Sequence, residues 1–259
     1  MKLKILLFLL GLAIGLALGQ VFFPSSEGPS SYPLGVGKKI RTELDRYAPK
    51  QYSEGNEEVV IRHFFQDRRG GYFLDVGAYH YRDKSNTYYL EKNLGWGGIA
   101  VDANGEFEQG YLKHRPQTRF FALFVSDKSD EMADFFIVKD PRHLTKSTAV
   151  RSFIEGREAD QIKVPTIKLD DLLQKLEVKK IDFFNLDIEL WEPHALAGFS
   201  IGQYQPDLVC IEAHPPVRAQ ILKYFHDNSY QRLDQYLLFD QRNWYFAPRI
   251  LFPRPEGVE

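Results

Sequence analysis

From Tyr72 onward, short apolar runs of strand length alternate with amphipathic stretches of helical length, and this alternation limits the chain to one broad class of fold. The strand-like runs are Tyr72–Val76, Gly98–Asp102, Arg119–Val125, Asp134–Val138, Ile181–Asp187, Leu208–Ala213, Gln231–Phe239 and Trp244–Phe246. Most are separated by helical stretches: Ser85–Leu94, Glu106–His114, Leu169–Leu176, Glu192–Gly198 and Pro216–Asn228. A chain that returns through helices builds an open, mostly parallel α/β sheet with helices on both faces. The last two runs are joined by Asp240-Gln241-Arg242, too short for a helix, which predicts an antiparallel hairpin at one edge. No internal repeat occurs at a solenoid period.

Ahead of this pattern lies an apolar run, Ile5 to Leu18, which Gln20 interrupts and Val21-Phe22-Phe23 resumes. Counted to Phe23 it approaches the roughly 20 residues that span a bilayer, so residues 1–23 read as a transmembrane anchor. Lys2 and Lys4 before the run, with Ala17-Leu18-Gly19 resembling a cleavage site, keep a secretory signal open as the alternative. Lys38, Lys39, Arg41 and Arg46 outnumber the two leading lysines, which predicts a single-pass protein with its catalytic side in the cytoplasm. Signal cleavage would instead release a secreted or periplasmic protein. Residues 24–39 form a Pro- and Ser-rich linker, and the globular domain runs from 40 to 259.

Charge and cysteine content remove several functions. With 33 Lys and Arg against 35 Asp and Glu, there is no basic field to hold nucleic acid. The single cysteine, Cys210, forms neither an internal disulfide nor a Cys-rich zinc site, so any metal is left to His and carboxylates. Whether a metal is present stays open.

In a doubly wound sheet the ligand lies over the carboxyl ends of the strands, so the residues leaving each strand carry the chemistry. The first strand ends in Asp75-Val76-Gly77-Ala78-Tyr79-His80. Gly77 lets backbone approach a ligand, and Asp75 accepts hydrogen bonds from an amine. A dinucleotide site needs G-x-G-x-x-G here for its pyrophosphate, and this sequence has Tyr79 and His80 instead, which argues against NAD. The second strand ends at Asp102, the position from which a carboxylate grips ribose hydroxyls, although a strand-end Asp also serves as a turn cap.

Taken together, Asp75-Val76-Gly77-Ala78, Ser85-Asn86-Thr87, Leu90-Glu91, Gly95-Trp96-Gly97-Gly98 and Val101-Asp102-Ala103 resemble the opening of the FkbM-type methyltransferase domain. Further matches are Thr166 to Leu173, Ile181 to Glu189 with Glu192, and Ile211-Glu212, so that the resemblance covers roughly Gly55 to Pro248. It implies a class I, Rossmann-like methyltransferase fold, a mostly parallel sheet closed by an antiparallel C-terminal hairpin, preceded here by the N-terminal hydrophobic segment. It also implies S-adenosylmethionine as cofactor and, as acceptor, a hydroxyl on a small molecule or glycan, such as a saccharide or saccharide-bearing lipid. The donor would be held by Asp75, Gly77, Ala78 and Asp102, with Ser126 and Asp127, leaving the third strand, approaching the adenine. Two departures stand out: Leu190-Trp191 where the family usually has Gly-Ala, and Asp102 where it more usually has Glu. The first would reshape the acceptor pocket. It also admits another class of function, a non-catalytic membrane-anchored interaction or trafficking protein that keeps the fold.

Methyl transfer from a sulfonium to a hydroxyl requires orientation and a base or metal to remove the proton. Asp187, Glu189 and Glu192 crowd the exit of one strand, and Glu212 with His214 the exit of the next. Asp187, Glu189 and His214 are the catalytic candidates, with His80 a further one; such a group holds either a base or a divalent ion. Simpler roles remain for two of these acids, since Glu192 complements a helix dipole and Asp187 caps a turn. Residues 139–163, without clear periodicity, read as a lid or a plain surface loop.

Overall fold

The computed structural model describes residues 34–140, 146–154 and 156–251. Helix α1 spans Leu34–Leu44 and α2 Glu57–Phe65; β1 is Tyr72–Val76, α3 Tyr88–Leu94, β2 Gly97–Asp102, α4 Glu108–His114 and β3 Thr118–Ala122. Next come β4 (Phe124–Val125), β5 (Met132–Val138), β6 (Ala159–Ile167), α5 (Leu169–Lys175), β7 (Phe183–Leu186), α6 (Glu192–Ala197) and α7 (Ile201–Tyr204). The chain closes with β8 (Leu208–Glu212), α8 (Arg218–Asp227), β9 (Tyr230–Arg232) and β10 (Asn243–Pro248).

Seven strands form the main sheet in the order β3-β2-β1-β7-β8-β10-β9. The pairs from β3 to β8 are parallel, and β10 runs antiparallel to both of its neighbours. Period-two alternation divides the core between the two faces. Leu74, Val76, Phe184, Leu186, Val209 and Ile211 pack in one cluster with residues of α5, α6 and α8, while Phe73, Phe183, Leu208 and Cys210 pack in a second with residues of α2. Every residue of β7 and β8 is buried, as a parallel strand covered by helices on both sides requires.

The α/β class and the mostly parallel sheet agree with the sequence reading. The ending differs. Gln231–Phe239 is not one strand: β9 stops at Arg232, and Asp234–Leu238 forms a 3-10 turn. The last two strands, β9 and β10, pair antiparallel at the edge of the sheet, the expected hairpin. Within it β10 is the inner strand, between β8 and β9, because five of its six residues are buried and an edge position would expose one flank of their backbone. The run Arg119–Val125 also splits. Leu123 N–H donates to Asp102 O at 3.1 Å, the chain turns away, and β4 joins a separate three-stranded sheet in the order β4-β6-β5. Strand β6 escaped the sequence reading because its exposed positions and Pro165 blur the alternation. Helix α1 begins inside the stretch read as linker. The expected anchor or signal, residues 1–23, lies outside the described residues; among those described, no helix is long and apolar enough to cross a membrane.

Candidate active site

A cleft of about 420 Å³ opens over the carboxyl ends of β1, β2, β7 and β8, roofed by the small sheet. Its volume falls within the range of small-molecule sites. The cleft has two chemically distinct ends, each made by residues that leave a buried strand.

At the first end the chain leaves β1 through Gly77, whose φ of +78° suits glycine. Gly77 and Ala78 N–H donate to Val101 O at 2.9 and 3.2 Å, drawing this loop across β2. Tyr79 N–H donates to Asp102 Oδ2 and Asn104 N–H to Asp102 Oδ1, both at 2.8 Å. Two backbone donors thus fix the Asp102 carboxylate, and each oxygen keeps a lone pair directed elsewhere. Desolvation pushes its pKa up to about 6, despite those two donors. Val101, Phe107, Leu123 and Val125 supply an apolar wall.

Asp75 lines the same cleft but is almost fully buried and already engaged. Thr87 Oγ1 donates to its Oδ2 at 2.7 Å and Asn185 Nδ2 to its Oδ1 at 2.9 Å, while Asn86 Nδ2 donates to Asn185 Oδ1 at 3.0 Å. Burial raises the Asp75 pKa against these donors. The carboxylate therefore ties β1 to β7 and to the entry of α3. The sequence reading missed Thr87, Asn86 and Asn185 as members of this network. The available signal was Asn185 itself, a polar residue inside an otherwise apolar strand, which must find partners when buried.

At the second end, β7 and β8 deliver Asp187, Glu189, Glu212 and His214 to the cleft. Glu189 and Leu190 have successive positive φ values, +53° and +75°, conformations that cost about 1–3 kcal/mol each. They are held by Thr148 Oγ1, which donates to Glu189 O at 2.8 Å, and by Ile188 N–H, which donates to Glu192 Oε1 at 3.1 Å. His214 Nε2 lies 3.0 Å from Glu189 Oε2 and 3.0 Å from Glu212 Oε2. Hydrogen bonds to Glu189 and then Glu212 raise the His214 pKa to about 10, so the ring is an imidazolium at neutral pH and is not a free base. Burial and then the charges of Glu212 and Glu189 hold Asp187 well above the usual carboxylate range. Glu189 is raised by burial, whereas the imidazolium brings Glu212 below its ordinary value despite the same desolvation.

Asp75, Gly77, Ala78, Asp102, Asp187, Glu189 and His214 thus share one cleft. Ser126 and Asp127 do not line it. Because β4 leaves the main sheet, Ser126 N–H donates to Ile167 O and Ser126 Oγ to Asp127 Oδ1, away from the opening; Leu123, Phe124 and Val125 stand there instead. His80 is not a cleft residue either, its Nδ1 accepting from Arg82 and Asp83 N–H. The Leu190-Trp191 departure leaves the lining untouched: Leu190 packs on the main core, and Trp191 packs against Phe124 and stacks on His194 at 4.0 Å. Lys146 and Ser147, from the segment read as lid or loop, line the opening, and Phe153 meets the His214 ring edge-on at 5.2 Å.

The profile of the methyltransferase FkbM domain matches residues 75–243, which begin at the clamped Asp75 and enclose both ends of the cleft. The chain belongs to the FkbM methyltransferase family. No curated protein matches its sequence. Among solved structures it is similar to a TehB-like SAM-dependent methyltransferase from Corynebacterium glutamicum, with 12% identity and a TM-score of 0.43 over 83% of this chain and 96% of that one. It is also similar to the O-methyltransferase from Bacillus cereus in complex with SAH, with 10% identity and a TM-score of 0.40 over 91% and 96%. As an FkbM methyltransferase the protein uses S-adenosylmethionine, and the donor set at the first end fits that molecule. The fixed Asp102 carboxylate offers acceptors to ribose hydroxyls, and the apolar wall suits an adenine.

Proposed function

We propose that this FkbM methyltransferase transfers a methyl group to a hydroxyl of a saccharide or a saccharide-bearing lipid. The observation that carries the reading is the division of one cleft between the Asp102 end, which offers acceptors to a ribose, and the carboxylate–histidine end formed by Asp187, Glu189, Glu212 and His214. When bound, the donor supplies an electrophilic methyl on a sulfonium. The protein orients the acceptor oxygen and receives its proton. Asp187 and Glu189 are the residues we assign to that acceptor end. His214, already protonated, orients the carboxylates of Glu189 and Glu212. Glu54, Lys84, Asn86 and Arg242 add polar groups around the mouth, which suits an acceptor rich in hydroxyls.

The test is transfer of labelled methyl from S-adenosylmethionine by the purified full chain to a panel of sugars and glycolipids, with amines and carboxylates as counter-substrates. Labelled methyl ethers on sugars support the reading, and transfer confined to amines or carboxylates overturns it. We further propose that residues 1–23 anchor the chain to a membrane with the domain on the cytoplasmic side, where the donor is made. Protease protection in intact cells checks it: a processed protein outside the cytoplasm would sink this topology.

A further inference from the structure

The acceptor end holds more negative charge and more unmet coordination than an acid–base pair needs. Glu189 Oε2, Glu212 Oε2 and His214 Nε2 all lie within 4.8 Å of one another. They come from the exits of two adjacent parallel strands, paired through Leu186 and Ile211, so the main sheet itself sets their spacing. One imidazole N–H lies 3.0 Å from two carboxylate oxygens at once and is shared between them. Glu212 Oε2 is buried, in a residue only 7% exposed that lines the cleft, and shares that ring with Glu189. Two buried carboxylate oxygens that share one donor have coordination to spare, which an added ion would fill.

We infer that Glu189, Glu212 and His214 form a binding site for a divalent transition-series cation. The inference rests on the reading of this cleft end as the acceptor site. Ligands held at about 2.1 Å and at right angles around an ion are about 3.0 Å apart. That is the separation His214 Nε2 keeps from each carboxylate oxygen. Two carboxylate oxygens and one imidazole nitrogen suit manganese, iron or zinc better than calcium or magnesium, which take oxygen ligands. Three protein ligands leave positions open for a hydroxyl from the cleft, as catalytic rather than structural sites do. Supporting contacts already surround the ligands. Thr148 Oγ1 donates to the Glu189 carbonyl, and Phe153 packs on the His214 ring, so the orientation of both ligands is set from outside. A cation here would displace the proton on His214 Nε2 to solvent, orient an acceptor hydroxyl and lower its pKa.

The experiment uses the purified full chain, stripped with chelator and titrated with Mn2+, with the free ion read from its electron paramagnetic resonance signal. The expected result is one ion bound per chain, weakened roughly tenfold or more by Glu212→Gln and by His214→Ala. Glu158→Gln, an exposed change just before β6, should leave binding unaltered. Circular dichroism identifies variants that fold, and Glu189→Gln replaces any that does not. A folded wild-type protein that binds no Mn2+, or binding unchanged in the ligand variants, overturns the site. Calorimetry with S-adenosylhomocysteine on the same stripped sample separates this inference from the reading beneath it. Nucleoside binding without ion binding removes only the metal site. Ion binding without nucleoside binding supports the metal site and removes the donor reading.

Discussion

Gly77 and Asp187 meet where no side chain fits: a Cβ placed on Gly77 would lie 1.7 Å from the Asp187 carbonyl oxygen. The loop after β1 and the loop after β7 are therefore packed backbone to backbone, and the two ends of the cleft meet at this contact. Gly77→Ala must separate these loops and adopt an unfavourable φ of +78°. The expected outcome is destabilisation by about 2–4 kcal/mol and loss of S-adenosylhomocysteine binding. Urea unfolding and calorimetry measure both; a variant with wild-type stability would show that the loops separate freely.

Asp102 sets a pH dependence. Its pKa of about 6 means that the carboxylate loses acceptor capacity as the pH falls through that value. Donor affinity should therefore decline from pH 7 to pH 5, and Asp102→Asn should bind more weakly and without that slope. Asp102→Ala should weaken donor binding by about 1–3 kcal/mol. Equal affinity at pH 5 and 7 in the wild type would take Asp102 out of contact with the donor.

Asp187→Asn and Glu189→Gln should lower turnover on the true acceptor by roughly 100- to 10,000-fold, as removal of a general base does. Donor affinity should change far less, because both residues stand at the other end of the cleft. Turnover and calorimetric affinity measured together decide it. Near-normal turnover in both variants would leave this strand exit as scaffold.

Glu192 carries a stability effect of definite sign. It is fully buried, its Oε2 has no hydrogen bond, and desolvation raises its pKa from 4.5 to about 7. The folded state thus prefers the protonated form. The stability this contributes is complete below about pH 4.5 and is lost as the pH rises through 7, on the order of 3 kcal/mol in all. Glu192→Gln should reduce the loss of stability between pH 5 and pH 8, measured by urea midpoints. Parallel pH profiles for the variant and the wild type would contradict this assignment.

Removing Asp75 should cost stability before it costs chemistry. Asp75→Ala leaves Thr87 Oγ1 and Asn185 Nδ2 without their acceptor, for a loss of about 1–3 kcal/mol. Asn185→Leu should cost a similar amount, and the double variant less than the sum of the two, because they share one network. Additive losses in urea unfolding would show the clamp to be two independent contacts.

How much of this was legible beforehand follows from which interactions are local. Apolar alternation along Tyr72–Val76, Gly98–Asp102 and Leu208–Glu212 marks each strand from its own residues, and parallel strands send their exits to one side. Asp102, Asp187, Glu189 and His214 could be placed around one cleft for that reason. The sequence by itself determined the α/β class, the end of the sheet where the cleft opens and the acids that stand there. The insertion of β10 beside β8, the departure of β4 into a second sheet and the consequent removal of Ser126 and Asp127 from the cleft were decided only in the tertiary structure. So were the Asp75–Asn185–Thr87 clamp and the approach of His214 to two carboxylates. Each depends on pairing between segments far apart in the chain, where the burial of a whole strand or the satisfaction of a buried polar group outweighs the preference of any few residues.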